Sequence, residues 1–317
     1  MMSDELLNWE RARETGIDNN SSLVVVDIGG TRIKLGGILN GTPIDTTEQF
    51  YVEGIRHGDI VENLANCIED FRSKNSFNLD GVIVTVPGFI DRDFDRVLKC
   101  DNVRELEDRL LASELTRNLN VPVVLERDSV LLLKGEYSVG AAQHQEDVAG
   151  IFIGTGIGAS YLQSGHPFRG GGWALEIGHI PVWSNLQNLQ SSRNQTLEDY
   201  CSGAELRQIA KKYGVSIDSL FSLTTDNSDF STDLDLTLRL HAFAVSTIIS
   251  VISPRVILVG GGVVSMGGYP FDRLRELVMV QAPLADWNTP VDIRQAALGW
   301  ESVLHGATAF LEDSRCD

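Results

Sequence analysis

The chain has 317 residues, enough for two domains of ordinary size, and its 43% hydrophobic and 22% charged content is that of a globular protein. A formal net charge of -18, with no basic run, excludes the clustered Lys and Arg that a nucleic acid or an anionic membrane surface requires. Cys67, Cys100, Cys201 and Cys316 are widely spaced, fit neither a CxxC zinc pattern nor a disulfide scaffold, and read as reduced thiols of a cytoplasmic protein.

Residues 3–16 predict either one short amphipathic helix capped by Ser3 or a loose arm. Their charges do not suit a signal peptide, and no apolar run approaches the ~18–20 residues that cross a bilayer. Residues 17–22, IDNNSS, read as a turn-rich linker. The stretch that organises the chain comes next: LVVVDIGGTRIKLGGI, residues 23–38. A valine-rich run predicts a buried strand, and the glycine pair predicts a tight reversal into a second strand. A turn without Cβ atoms brings backbone N–H groups and the Thr31 hydroxyl close to a phosphate. Asp27, at the end of the strand, is placed to hold a hydrated divalent cation beside it, or is simply an aspartate at an ordinary hairpin turn. Neither GxxxxGK[ST] nor a helix-opening GxGxxG occurs here.

Helical spacing follows over Ile60–Phe71 and Leu106–Leu119, alternating with strands at Gly81–Val86 and Val121–Leu125, which argues for an α/β domain. Glu126, Arg127 and Asp128 end that last strand. Asp128 is either a base that takes a proton from an attacking hydroxyl or the cap of the next helix. Residues 148–162, VAGIFIGTGIGASYL, repeat the opening plan with a Gly154-Thr155-Gly156 turn, and a third glycine turn, Gly260–Gly262, follows Val256–Val259. Three strand-ending glycine turns suggest a nucleotide held by two related halves. In ALEIGHIPV, Glu176 and His179 are placed to bond sugar hydroxyls, His179 being alternatively a satisfied core histidine; Glu198 is a further acid, or an N-terminal helix charge. Residues 183–196 read as surface loop, and helices are predicted over 203–213, 232–252, 270–282 and 301–311.

In order, DIGGTRIK (27–34), TVPGFID (85–91), ERD (126–128), GTGIG (154–158), GGGWALEIGHIPV (170–182), LEDYCSG (197–203) and VGGGVV (259–264) resemble the ROK family of sugar kinases, within the actin and hexokinase-like superfamily. The resemblance spans roughly residues 23 to 312. It implies two actin/hexokinase-like (ribonuclease H-like) α/β domains with ATP and a hexose in a cleft between them. Expected boundaries are an N-terminal arm at 1–22, a small domain at 23–122 and a larger one at 123–317, with the last helix packing back on the small domain. By position, Asp27, Gly29, Gly30, Thr31 and Lys34 match the first phosphate motif, Gly154, Thr155 and Gly156 the second, and Gly261 and Gly262 the adenosine motif. Asp128 matches the catalytic base; Asn102, Arg127, Glu176, His179 and Glu198 match positions around the sugar. The implied cofactors are ATP and Mg²⁺, and the implied assembly is a homodimer.

Two departures from the family pattern carry expectations of their own. Where relatives carry three zinc-binding cysteines, this chain has Leu189, Ser191 and Thr196, so no structural zinc is expected. The residue before the base is Arg127 where the family commonly has Asn, and Arg only donates hydrogen bonds. Arg-Asp, with VILVGGGVVSMGGYPFDRLRE, is reminiscent of the family's D-allose kinases. The expected activity is γ-phosphoryl transfer to a hexose hydroxyl, O6, with allose favoured over glucose, fructose, mannose or N-acetylmannosamine. The rivals are a sugar-responsive repressor, which the net charge and the absence of a DNA-binding domain before residue 23 disfavour, and a non-catalytic sugar or nucleotide sensor.

Overall fold

The structure is a computed structural model and describes residues 17–18, 20–91, 93, 95–182, 195–223, 227–282 and 291–313. The expected helix or arm at 3–16 and most of the 183–196 loop lie outside the described residues. Two compact units are present: residues 1–143 with 167–174 and 300–317, and residues 144–166 with 175–299.

The first unit is built on a five-stranded sheet. Its strands are β1 (Leu23–Ile28), β2 (Arg32–Leu39), β3 (Thr42–Tyr51), β4 (Gly81–Val86) and, after a small hairpin of β5 (Phe89–Ile90) and β6 (Val97–Lys99), β7 (Val123–Arg127). The order is β3-β2-β1-β4-β7, with β1–β2 and β2–β3 antiparallel and β1–β4 and β4–β7 parallel. Parallel pairs need helical crossovers, here α1 (Ile60–Asn75) and α2 (Leu111–Leu119). The Asp59 carboxylate accepts from the N–H groups of Val61 and Glu62, which starts α1 where the apolar period starts.

Side chains alternate across β1, so each face needs a cover. Val24, Val26 and Ile28 pack with Leu64, Ile68, Leu111 and Leu115 of α1 and α2. Leu23 and Val25 pack on the other face with Val130 and Leu131 of α3 (Asp128–Ser138) and Val303, Leu304 and Ala307 of the last helix, α8 (Ser302–Asp313). Gly135 and Gly306 let α3 and α8 meet backbone to backbone: a Cβ on either would lie 2.0 Å from the Ser302 or Leu131 carbonyl oxygen. Ile17, read as linker from the sequence, is buried in this same cluster.

The second unit repeats the plan. β8 (Val148–Ile153) and β9 (Ile157–Gln163) form the opening hairpin, followed by β10 (His166–Pro167), α4 (Leu197–Cys201), α5 (Gly203–Tyr213), α6 (Ser228–Ile252), β11 (Val256–Gly260), α7 (Phe271–Gln281) and β12 (Asp292–Gln295). The sheet order β10-β9-β8-β11-β12, with β8–β11 and β11–β12 parallel, matches the first unit strand for strand. α6 starts four residues earlier than its apolar period suggests, because the Asn227 side chain accepts from Asp229 and Phe230 at 3.1 Å each. It is long and apolar enough to span a membrane, a point the sequence reading did not see, yet Phe230, Leu238, Ala242, Val245 and Ile249 bury one side of it in this unit's core. Core packing accounts for that apolar composition.

Candidate functional site

Residues directly opposite on neighbouring strands point to the same face of a sheet. In the first unit one such row crosses four strands: Lys34 opposes Asp27, Asp27 opposes Thr85, and Thr85 opposes Glu126. Asp27 and Thr85 are each the polar residue one place before the end of an otherwise apolar strand, and Glu126 holds the same place in β7, ahead of Arg127. Thr85 donates to Asp27 at 2.8 Å, and Lys34 lies over the Trp300 ring at 5.3 Å. Burial pushes the Asp27 carboxyl above its ordinary range, opposed by the Lys34 charge and the Thr85 hydroxyl. The Gly29–Thr31 turn closes this hairpin through Gly29 N–H to the Arg32 carbonyl at 2.9 Å, and a Cβ on Gly29 would sit 2.8 Å from that oxygen.

Glu126 ends the row and is fully buried. Arg169 grips it with two bonds, 3.0 and 2.6 Å, and the Arg127 N–H donates to the same carboxylate at 2.9 Å. This 43-residue-distant pairing was not foreseen from the sequence. Breaking one partner would strand a buried charge, which is why such a pair fixes its surroundings. The Arg127 side chain is buried and donates from Nη1 to the Ala174 carbonyl at 2.8 Å. Asp128 is the first residue of α3. It is not the cap; Arg127 holds that position and makes no side-chain capping bond. The Asp128 carboxylate accepts from the Ser129 N–H at 2.6 Å.

Loop 100–103 lies beside this end of the sheet. The Cys100 thiol donates to the Pro87 carbonyl at 3.7 Å and is pushed up to about 11, chiefly by burial, with the Asp128 charge among its neighbours. Asn102 is exposed there, and its carbonyl accepts from Arg56 at 2.7 Å. Lys34, Asp27, Thr85 and Glu126 therefore form one cross-strand row near the carboxyl ends of β1, β4 and β7, with Asp128 following β7 directly, at the edge where open α/β sheets place their chemistry.

In the second unit the corresponding strand ends carry glycine turns held by backbone bonds. Gly154 N–H closes the β8–β9 turn onto the Gly156 carbonyl at 2.9 Å, and the first N–H groups of α5, from Gly203 and Ala204, donate to the Gly154 and Thr155 carbonyls at 2.8 and 3.2 Å. Gly203, the last residue of LEDYCSG, has to be glycine here, since a Cβ on it would lie 2.5 Å from the Gly154 oxygen. Gly261, at φ +95°, packs against the Ile153 backbone, where a Cβ would meet three atoms within 2.7 Å. Gly262 has open space around it. The two glycine turns thus abut at the ends of β8 and β11.

Glu198 sits against the same turn, accepting from Ile157 N–H at 3.1 Å with its Oε2 only 2.7 Å from where a Gly156 Cβ would be. Glu176 precedes and His179 ends a 3-10 turn, their side chains 4.0 Å apart. Thr196, at one of the three positions matched to zinc-binding cysteines, forms a reciprocal capping box with Asp199 at the start of α4. Leu189 and Ser191 lie outside the described residues. Behind α4, His241 is fully buried between the Cys201 carbonyl at 2.6 Å and the Tyr269 hydroxyl at 3.0 Å.

Comparison with known proteins bears on this geometry. The model of the ROK family matches residues 23–314. A glucokinase of Thermotoga maritima is 26% identical, the alignment covering 81% of this chain and 87% of that one. A ROK family glucokinase from Streptomyces griseus, solved with glucose and AMPPNP, superposes with a TM-score of 0.77 at 24% identity, covering 92% and 99% of the two chains. A ROK family transcriptional regulator, homologous to the MLC protein of E. coli, superposes with a TM-score of 0.76 at 17% identity, covering 92% and 78%. The last two likenesses speak for the two-domain actin/hexokinase-like fold and not, by themselves, for the chemistry.

Proposed function

The chain belongs to the ROK family, and from that membership we propose that it is a sugar kinase: a cytoplasmic enzyme that transfers the γ-phosphoryl group of ATP to a hexose hydroxyl, O6. The observation that carries the reading is Asp128, held at the carboxyl end of β7 directly behind the buried Glu126–Arg169 pair. Phosphoryl transfer asks little covalent work of a protein beyond positioning and a group that accepts the proton of the attacking hydroxyl. Asp128 is that group. As the sugar oxygen bonds to the γ-phosphorus, its proton passes to the Asp128 carboxylate, and the bond to the β-phosphate oxygen breaks to leave ADP.

Asn102, Arg127, Glu176, His179 and Glu198 orient the sugar in this reading. Gly29, Gly30, Thr31 and Lys34, and the glycine turns at Gly154, Thr155 and Gly156 and at Gly261 and Gly262, serve the nucleotide. A single carboxylate at Asp27, flanked by Lys34 and Thr85, suits a hydrated Mg²⁺, an ion that keeps several waters and is shared with phosphates. Bound with ATP, Mg²⁺ neutralises charge on the phosphate oxygens. A homodimer completes this reading.

D-Allose is the acceptor that the Arg127-Asp128 sequence argues for, whereas glucose is the acceptor that the relatives' names suggest. ADP release with Mg-ATP, measured for allose, glucose, fructose, mannose and N-acetylmannosamine, tests both levels. Turnover on one of them is expected. ATP binding without turnover on any would favour a sensor instead.

A further inference from the structure

Residues 167–174 belong to the first unit although the strands on either side of them, β9 and β10 before and the 3-10 turn at 177–179 after, lie in the second or at its edge. This short strap is tied down three times. The Arg169 carbonyl accepts from Gly172 and Ala174 N–H groups at 2.8 and 3.2 Å, which curls the strap into a compact turn with Gly170 and Gly172 at positive φ. The Arg169 guanidinium is locked onto the buried Glu126 carboxylate. The Ala174 carbonyl is held by Arg127, the residue immediately before the base.

On this pinned turn stands Trp173, with 51% of its surface exposed. Its ring meets Phe89 edge to face, 6.1 Å between centroids and 83° between planes. Phe89 follows the Pro87-Gly88 step that ends β4, and β4 is the strand whose Val86 opposes Arg127. One neighbour of Trp173 in the chain thus bonds to the residue before Asp128, and its neighbour in space, Phe89, opens β5 three residues after β4, the strand beside β7. An exposed tryptophan on a loose loop says little. Here the backbone under it is fixed at both ends, at Arg169 and at Ala174, whose carbonyl is held by the neighbour of Asp128, and the Phe89 ring braces the exposed indole.

We propose that Trp173 is the apolar wall of the acceptor half-site, stacking on the C–H face of a hexose pyranose and so determining which hexoses are accepted. The inference rests on the sugar-kinase reading and names the part of that site which no polar residue supplies. Ligand sites pair a few placed polar groups with aromatic surface that covers the rest of the ligand. On the first unit the polar groups are Asp128 and Asn102; the aromatic surface is Trp173, buttressed by Phe89. An indole offers a broad face at the cost of two torsions, which suits recognition of a ring that presents hydrogens on one side and hydroxyls on its edge.

The test uses the full chain with Trp173→Ala and Trp173→Phe. Titration calorimetry measures binding of each hexose of the panel without nucleotide, and steady-state kinetics give KM for hexose, KM for ATP and kcat. Trp173→Ala is expected to weaken the best hexose by about 5- to 10-fold in both Kd and KM, the order expected for losing one aromatic contact. In that variant kcat stays within about 2-fold and KM for ATP is unchanged; Trp173→Phe keeps most of the affinity. An unchanged hexose Kd in Trp173→Ala overturns the proposal, as does a loss that falls on ATP instead. A wild-type protein that binds a hexose but releases no ADP would defeat the kinase reading alone, because the Kd comparison still decides the wall. A wild type that binds no hexose defeats both.

Discussion

The two units share a strand order and differ in what stands at the same place in it. One position before the end of the opening strand, the first unit has Asp27 in a row with Lys34, Thr85 and Glu126. The second unit has Phe152 at that position, opposed by Gly158 and Gly260. Gly260 must be glycine, since a Cβ would lie 2.6 Å from the Ala296 methyl and 3.2 Å from the Phe152 ring. The first sheet therefore adds charged side chains, held by cross-strand partners, to its Gly29–Thr31 turn, whereas the second ends in bare backbone turns braced by a helix N-terminus. Side chains move protons and hold cations; glycine turns admit phosphate and adenosine to the backbone. A duplicated fold can divide a two-substrate reaction in this way without changing its topology.

Three substitutions sharpen that contrast. The largest expected effect is Gly261→Ala. Left-handed backbone strain costs about 1–3 kcal/mol, and crowding the Ile153 backbone adds a further ~1–3 kcal/mol. Calorimetry should show ATP binding lost while the first unit's hydrogen-exchange protection survives; unaltered ATP affinity would mean that the turn is not built as described.

The second concerns acid. Burial lowers the His241 imidazole to about 4. The unfolded chain, near 6.5, takes up the proton first, so stability is complete above pH 6.5 and falls as the pH drops toward 4, by about 3 kcal/mol in total. Urea unfolding of His241→Gln should show a flatter pH dependence over that window than wild type. Identical slopes would remove His241 from the account.

The smallest is Thr85→Val, which takes away the hydroxyl bonded to Asp27 and should cost about 1–2 kcal/mol. Its signature belongs to the first unit: a modest rise in the Mg²⁺ concentration needed for half-maximal turnover, with hexose KM unchanged. No shift in Mg²⁺ dependence would separate Asp27 from the cation.

Much of this was legible in the chain. The strands β1, β4, β8 and β11 announce themselves as apolar runs, and the glycine turns follow them in the sequence. Even the charged row left a trace, because Asp27, Thr85 and Glu126 each stand one place before the end of their strand. Aligning three separate strand ends requires the register, which a list of motifs does not contain. β3, TPIDTTEQFY, was missed because it is an edge strand with mostly polar, partly exposed residues, so no buried run marks it. Ile17 looked like linker because its partners, Gly81 and Leu23, come from strands it does not belong to. Glu126–Arg169 joins residues 43 apart and carries no local pattern at all. Asp128 stood open between base and cap; the structure makes it the first residue of α3 rather than its cap.

The claim at the centre is that proton transfer belongs to Asp128 and nucleotide binding to the glycine turns. Turnover of Asp128→Asn on the best hexose, measured beside calorimetric binding of ATP and of that hexose, tests it most directly. The account predicts kcat lower by about 10²–10⁴-fold, with ATP affinity intact and hexose affinity little changed. Near-normal turnover in that variant would contradict it.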